Sequence, residues 1–228
     1  MFERSSKTAI APADNELIRE RARFAALWER CLSSGRALAE MVYAQLVKLY
    51  GEPHRRYHTL EHVRHCLGEF DRAAALMDDP DAVEMALWFH DAIYRSGAVD
   101  NERRSAELFR QWSEGHADTA FLQRVDDLIM ATTHRSPPAH RDEHFIVDID
   151  LSSFGLPWEA FERDGHRIRA ECAEIGDEVY YPGQLRFLLS LQGRPTFFLT
   201  EFFQRRYERI ARDNIHRVVE NLRARGYG

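Results

Sequence analysis

Along most of the chain apolar residues recur at helical spacing, interrupted by short breaks rich in glycine, serine, proline and aspartate. Leu17, Phe24, Ala25, Leu27 and Trp28 fall on one side of a helix that Asp14 can cap and that runs to Cys31. After Ser33-Ser34-Gly35, a second helix carries Leu38, Met41, Val42, Leu46 and Leu49 and stops at Gly51-Glu52-Pro53. Thr59 is placed to cap a third, with Leu60, Val63, Leu67 and Phe70 inward. Asp79-Pro80-Asp81 opens a run from Ala82 to Tyr94 that is apolar nearly all round, which predicts a buried central helix. Further helices are expected over Asn101 to Trp112, Ala117 to Thr133, Pro157 to Ile175 and Asp177 to Leu191. Thr196 to Arg223 reads as one long helix or a broken pair.

One stretch is ambiguous. Phe145, Val147 and Ile149 alternate as in a strand, but no partner strand lies nearby in the sequence, so Phe145 to Gly155 is expected to be helical. The pattern as a whole predicts an all-α, single-domain helical bundle over residues 14–228, preceded by a flexible leader at 1–13.

Composition removes several function classes. Of 228 residues, 44% are hydrophobic and 30% charged, which is ordinary for a globular domain with a real core. The formal charge of -6 supplies no basic field for a nucleic-acid polymer. Cys31, Cys66 and Cys172 are far apart and form no CxxC pair, so neither a disulfide framework nor a zinc–thiolate site is implied. No signal peptide or membrane-spanning run is visible, and a cytoplasmic location is expected.

The candidate chemistry clusters between Tyr57 and Glu102. His58, His62 and His65 are spaced to share a helix face, and His90-Asp91 closes the apolar run. A carboxylate at the end of a buried helix costs several kcal/mol unless something cationic meets it, and a metal ion is the economical partner. Arg55, Arg56, Arg64, Arg103 and Arg104 are candidates to hold an anion nearby, while Asn101 and Glu102 open the next helix, where a cap or a first-turn acid also suits them. His134 follows an apolar helix and precedes the Pro137-Pro138 loop. Phe197, Phe198, Phe202 and Phe203 are expected in the core, a homodimer seam being the alternative use of the same face.

The order His62, then His90-Asp91, then a carboxylate in VDIDL resembles the HD superfamily of metal-dependent phosphohydrolases. YHTLEHV, WFHDAIY, DNERRSA, VDIDLSSFG and ARDNI are similar to a bacterial branch of predicted HD phosphohydrolases, from about residue 36 to the C-terminus. The resemblance implies four ligands around a central ion: His62, His90, Asp91 and an aspartate of VDIDL. It favours Asp150, which directly precedes Leu151, and Asp148 stays open. Manganese, iron, cobalt, magnesium and zinc all suit such a set. The implied reaction is hydrolysis of a small phosphorylated substrate, a nucleotide first among the classes. Asp91 or Glu102 would handle the proton, and Arg64, Asn101, Arg103, His134 and His58 would meet the substrate. Some HD proteins carry two irons and oxidise their substrates, using extra histidines such as His134 would be, and a non-catalytic nucleotide sensor is a third reading. The branch tends to show Glu-Tyr after Ile168-Arg169, where this chain has Ala170-Glu171-Cys172, a change that bears on substrate preference more than on metal binding.

Overall fold

A computed structural model describes residues 12–227. Ten α-helices and two short 3-10 segments make up the architecture, and no strand occurs among the described residues. The expected leader at 1–13 lies almost wholly outside the described residues. Its end does not: α1 (Pro12–Cys31) begins at Pro12, ahead of the cap expected at Asp14.

The helices α2 (Arg36–Tyr50), α3 (Leu60–Ala73) and α4 (Pro80–Phe89) follow the apolar spacing. Thr59 caps α3 by accepting the Glu61 N–H at 3.3 Å. Asp79 caps α4 by accepting the Ala82 N–H at 3.1 Å, with Pro80 in the first turn. Every side chain from Ala82 to Phe89 is buried, so α4 is the core of the bundle. It packs against α1, α3, α5 (Asn101–Ser113), α6 (Thr119–Ala131) and α7 (Arg141–Asp150). The ambiguous stretch is helical: α7 runs straight into a 3-10 turn at Leu151–Gly155.

Two helices stop earlier than their patterns suggest. α4 ends at Phe89 rather than Tyr94, because side chains satisfy the backbone beyond it. The Arg55 guanidinium donates to the carbonyls of Asp91 (2.7 Å) and Ala92 (2.9 Å). Ser105 Oγ accepts the Ile93 N–H, and Asn101 Oδ1 accepts that of Arg95, both at 3.0 Å. α8 (Trp158–Glu171) likewise stops short of Ile175, where Arg169 donates to the Cys172 carbonyl at 2.7 Å and the Ile175 carbonyl at 3.0 Å.

Beyond α9 (Asp177–Gln192), one unbroken helix, α10 (Glu201–Ala224), closes the molecule. The residues before it are not helical, because two carboxylates take their amides. Glu208 accepts from Phe197 and Phe198, and Asp148 from Leu199 and Thr200. Phe197, Phe198 and Phe203 are buried within the chain itself. α10 lies so close to the 3-10 turn that a Cβ at Gly155 would sit 2.7 Å from Tyr207 Cγ. Among the described residues no helix is long and apolar enough to cross a membrane.

Candidate metal centre

Four of the residues singled out in the sequence meet at one buried point. His62 comes from the first turn of α3, His90 caps the C-terminus of α4, Asp91 follows it, and Asp150 ends α7. His62 Nε2 lies 3.2 Å from His90 Nε2 and 3.1 Å from Asp150 Oδ1. Asp91 Oδ2 is 3.1 Å from His90 Nε2 and 3.6 Å from His62 Nε2, and Asp150 Oδ1 is 3.6 Å from His90 Nε2. Donors bonded at about 2.1 Å to one ion stand about 3.0 Å apart in an octahedron and about 3.4 Å apart in a tetrahedron. The spacings among His62, His90 and Asp150 therefore suit a single divalent ion, with Asp91 beside them at 3.1 Å from His90 Nε2.

The electrostatics agree with the geometry. His90 Nδ1–H donates to the Leu87 carbonyl at 2.9 Å, which leaves the Nε2 lone pair facing the cluster. Burial alone would depress His90, yet Asp91 and Asp150 hold it well above the ordinary imidazole value. Burial would likewise raise Asp91, but His90, His58 and His62 hold it below the usual carboxylate range. Asp150 is held low against the same burial by His134, His62 and His90. Two ionised carboxylates in a buried site call for shared positive charge, which a proton or a divalent ion can supply.

Asp150 and Asp148 part company because residues two apart on a helix point about 200° from each other. Asp150 faces the imidazoles, whereas Asp148 is committed to Leu199 and Thr200, including the Thr200 hydroxyl at 2.7 Å.

Comparison with protein-family models, curated proteins and solved structures finds no match.

Around the four ligands the structure sorts the remaining candidates. His134 Nε2–H donates to Asp150 Oδ2 at 2.8 Å, its backbone is left-handed (φ 54°), and its Nδ1 is buried without a partner among the described residues. His58 is not on α3 with His62; it precedes the Thr59 cap, and its ring stacks on Tyr94 at 4.0 Å. His65 turns to Ser152 Oγ at 2.8 Å. Arg64 pairs with Glu20, and exposed Arg103 with Asp100 and Glu107, so neither is free for a ligand at this centre. Asn101 clamps the loop after Asp91, receiving the Arg95 N–H and donating to its carbonyl, both at 3.0 Å. Half-buried Glu102 makes no hydrogen bond to the four ligands. DNERRSA thus holds the segment behind Asp91 through Asn101 and Ser105.

Two participants, Cys66 and Glu171, lie outside the residues chosen from the sequence, and a third, Arg55, expected to hold an anion, is taken up by backbone carbonyls. Cys66, one turn on from His62, places Sγ 3.6 Å from His62 Nε2, and its donor atom lies within 4.8 Å of those of His62, His90 and Asp150. Burial holds its thiol well above the ordinary range. The signal was the four-residue step from His62, which a search for paired cysteines passes over. Arg55 is fully buried and joins the two ligand-bearing segments, donating to the His58 carbonyl at 3.0 Å as well as to those of Asp91 and Ala92. Glu171 accepts three successive backbone N–H groups, from Arg56, Tyr57 and His58, and the His58 Nδ1–H at 2.6 Å.

Proposed function

We propose that the chain is a metal-dependent phosphohydrolase that cleaves a phosphoester of a small molecule, a nucleotide being the first class to test. The observation that carries this reading is the convergence of His62, His90, Asp91 and Asp150 at 3.1–3.6 Å spacings. The resemblance of YHTLEHV, WFHDAIY and VDIDLSSFG to HD phosphohydrolases supports it independently of the geometry.

His62, His90, Asp91 and Asp150 would hold the ion, with manganese, iron, cobalt, magnesium and zinc within the donor class. When bound, such an ion supplies Lewis acidity toward a phosphoryl oxygen and lowers the pKa of a coordinated water. The rest falls to the chain. The Leu87 carbonyl fixes the His90 tautomer, and His134 fixes which oxygen of Asp150 faces inward. With Arg64 and Arg103 committed to carboxylates, the part-exposed His58 is the candidate left to meet the substrate.

The test is metal analysis of the purified protein and of His90→Ala, alongside phosphate release from a panel of nucleotides with added manganese. One ion per wild-type chain, lost in the variant together with turnover, is the expected result. A folded wild-type protein that takes up no divalent ion would sink the reading.

A further inference from the structure

Of the four imidazoles in and beside the candidate metal centre, His58 alone has a ring nitrogen that is neither bonded among the described residues nor buried. His62 Nε2, both nitrogens of His90 and His134 Nε2 have partners, and His134 Nδ1 is sealed in. His58 Nε2 has no hydrogen-bond partner among the described residues, and its side chain keeps 19% of its surface open. The other side of the ring is fixed in three ways. Nδ1–H donates to Glu171 Oε2 at 2.6 Å, Tyr94 lies against one face at 4.0 Å, and the Tyr57 ring meets it edge-on at 5.0 Å.

Glu171 is itself unusually well held. Its side chain is completely buried, and its other oxygen, Oε1, accepts the N–H groups of Arg56, Tyr57 and His58 at 2.7, 2.8 and 3.0 Å. It comes from the last residue of α8, more than a hundred residues away in sequence, and reaches the turn that precedes α3. A carboxylate needed only to tie down that turn would be satisfied by the three amides. The fourth bond, to the imidazole, sets the ring's tautomer.

We propose that Glu171 is a positioning residue of this centre: by taking the Nδ1–H of His58 it fixes the ring so that Nε2 is the nitrogen left to meet the substrate. This rests on the hydrolase reading above. In that reaction Nε2 accepts one proton as the water oxygen bonds to phosphorus. As the phosphorus–oxygen ester bond breaks, the leaving oxygen, on the opposite side of phosphorus from the attacking water, takes its proton from solvent, and the imidazolium gives its own up to solvent, so the ring ends as it began. The charged and titratable groups around the ring are Glu171 on α8, Tyr94 and Asp91 after α4, Asp150 on α7, His62 on α3 and Tyr57 beside it.

Glu171→Gln isolates the tautomer. Its amide oxygen can still accept the three backbone N–H groups, while its NH₂ faces Nδ1 and imposes the opposite tautomer. The assay uses phenyl phosphate with manganese, and long-range nitrogen NMR reads the His58 ring at alkaline pH, where it is neutral. The expected result is a switch of His58 from Nδ1–H to Nε2–H, with metal content and KM retained and kcat lowered by about 10²-fold or more. His58→Asn should lose a similar factor, and the double variant should fall no further than His58→Asn alone. A switched tautomer with unchanged kcat overturns the proposal, as do independent, multiplying losses in the double variant. If Glu171→Gln fails to fold, the proposal stands or falls on the kcat of His58→Asn at retained metal content and on the wild-type tautomer. A wild-type protein that shows the Nδ1–H tautomer but releases no phosphate would refute the hydrolase reading and leave the Glu171–His58 pairing intact.

Discussion

Asp150 divides its oxygens between two partners, Oδ1 toward His62 and His90 and Oδ2 toward His134. With an ion bound as proposed, the division would make His134 a determinant of metal affinity without being a ligand. His134→Asn tolerates the same left-handed backbone but is too short to reach the carboxylate, and should weaken divalent-ion binding by about 10–100-fold in a competitive titration. Glu171 supports a second expectation at this scale. His58 and three amides overcome burial and hold its carboxyl down to about 2, from an ordinary 4.5. The folded pKa is the lower one, so the stabilisation is full above about pH 4.5 and is lost as pH falls toward 2. Urea titrations over that range should show Glu171→Gln lacking this acid-dependent loss, a difference on the order of 2 kcal/mol after allowing for solvent screening. The family resemblance pointed to His62, His90, Asp91 and an aspartate of VDIDL, with Asp148 still open, because residue type and order carry that much. Cys66 and Glu171 escaped it for different physical reasons. A single thiol gains meaning only from what stands one turn away, and a carboxylate that crosses more than a hundred residues leaves no local periodic trace.

At the scale of elements, the ends of the helices were harder to read than their existence. Ala82 to Tyr94 stays apolar past Phe89, so nothing in its periodicity marks the stop. The stop is made by Arg55, Asn101 and Ser105, from two other parts of the chain, each taking a backbone group that another turn of helix would have used. Arg55 carries most of this, donating to three carbonyls while its guanidinium lies over the rings of Tyr50 and Tyr94. Arg55→Leu would leave the carbonyls of His58, Asp91 and Ala92 buried and unpaired, at a cost of about 3 kcal/mol in chemical denaturation. If Asp91 is a ligand, as proposed above, the same variant should also bind metal more weakly. Where α10 crosses the 3-10 turn, the constraint is purely steric. Gly155→Ala forces its methyl against Tyr207 and should destabilise by about 1–3 kcal/mol or more, with little effect on metal affinity measured at low temperature.

For the whole molecule, the class of fold was readable because helices such as α1, α2 and α3 follow apolar spacings that a single face can satisfy, and α4 announces the core by lacking a polar face. What the pattern could not convey is that the core and the metal centre are one structure. α3, the end of α4 and the end of α7 each supply candidate ligands, and these three elements pack on one another. An ion bound there would cross-link them, whereas in the unfolded chain the same donors are scattered from residue 62 to residue 150. Binding therefore adds to folding stability by mass action, about 2.7 kcal/mol at a free-ion concentration one hundred times Kd. For a chain of 228 residues that corresponds to a rise in Tm of roughly 5–10 °C. Calorimetry with and without manganese or zinc should show the rise, and a chelator should reverse it. Asp150→Asn should abolish the rise without unfolding the protein, because His134 and His62 can still hydrogen-bond the amide. A wild-type Tm indifferent to every divalent ion would mean that the buried carboxylates are met by imidazolium groups, His90 foremost, rather than by an ion.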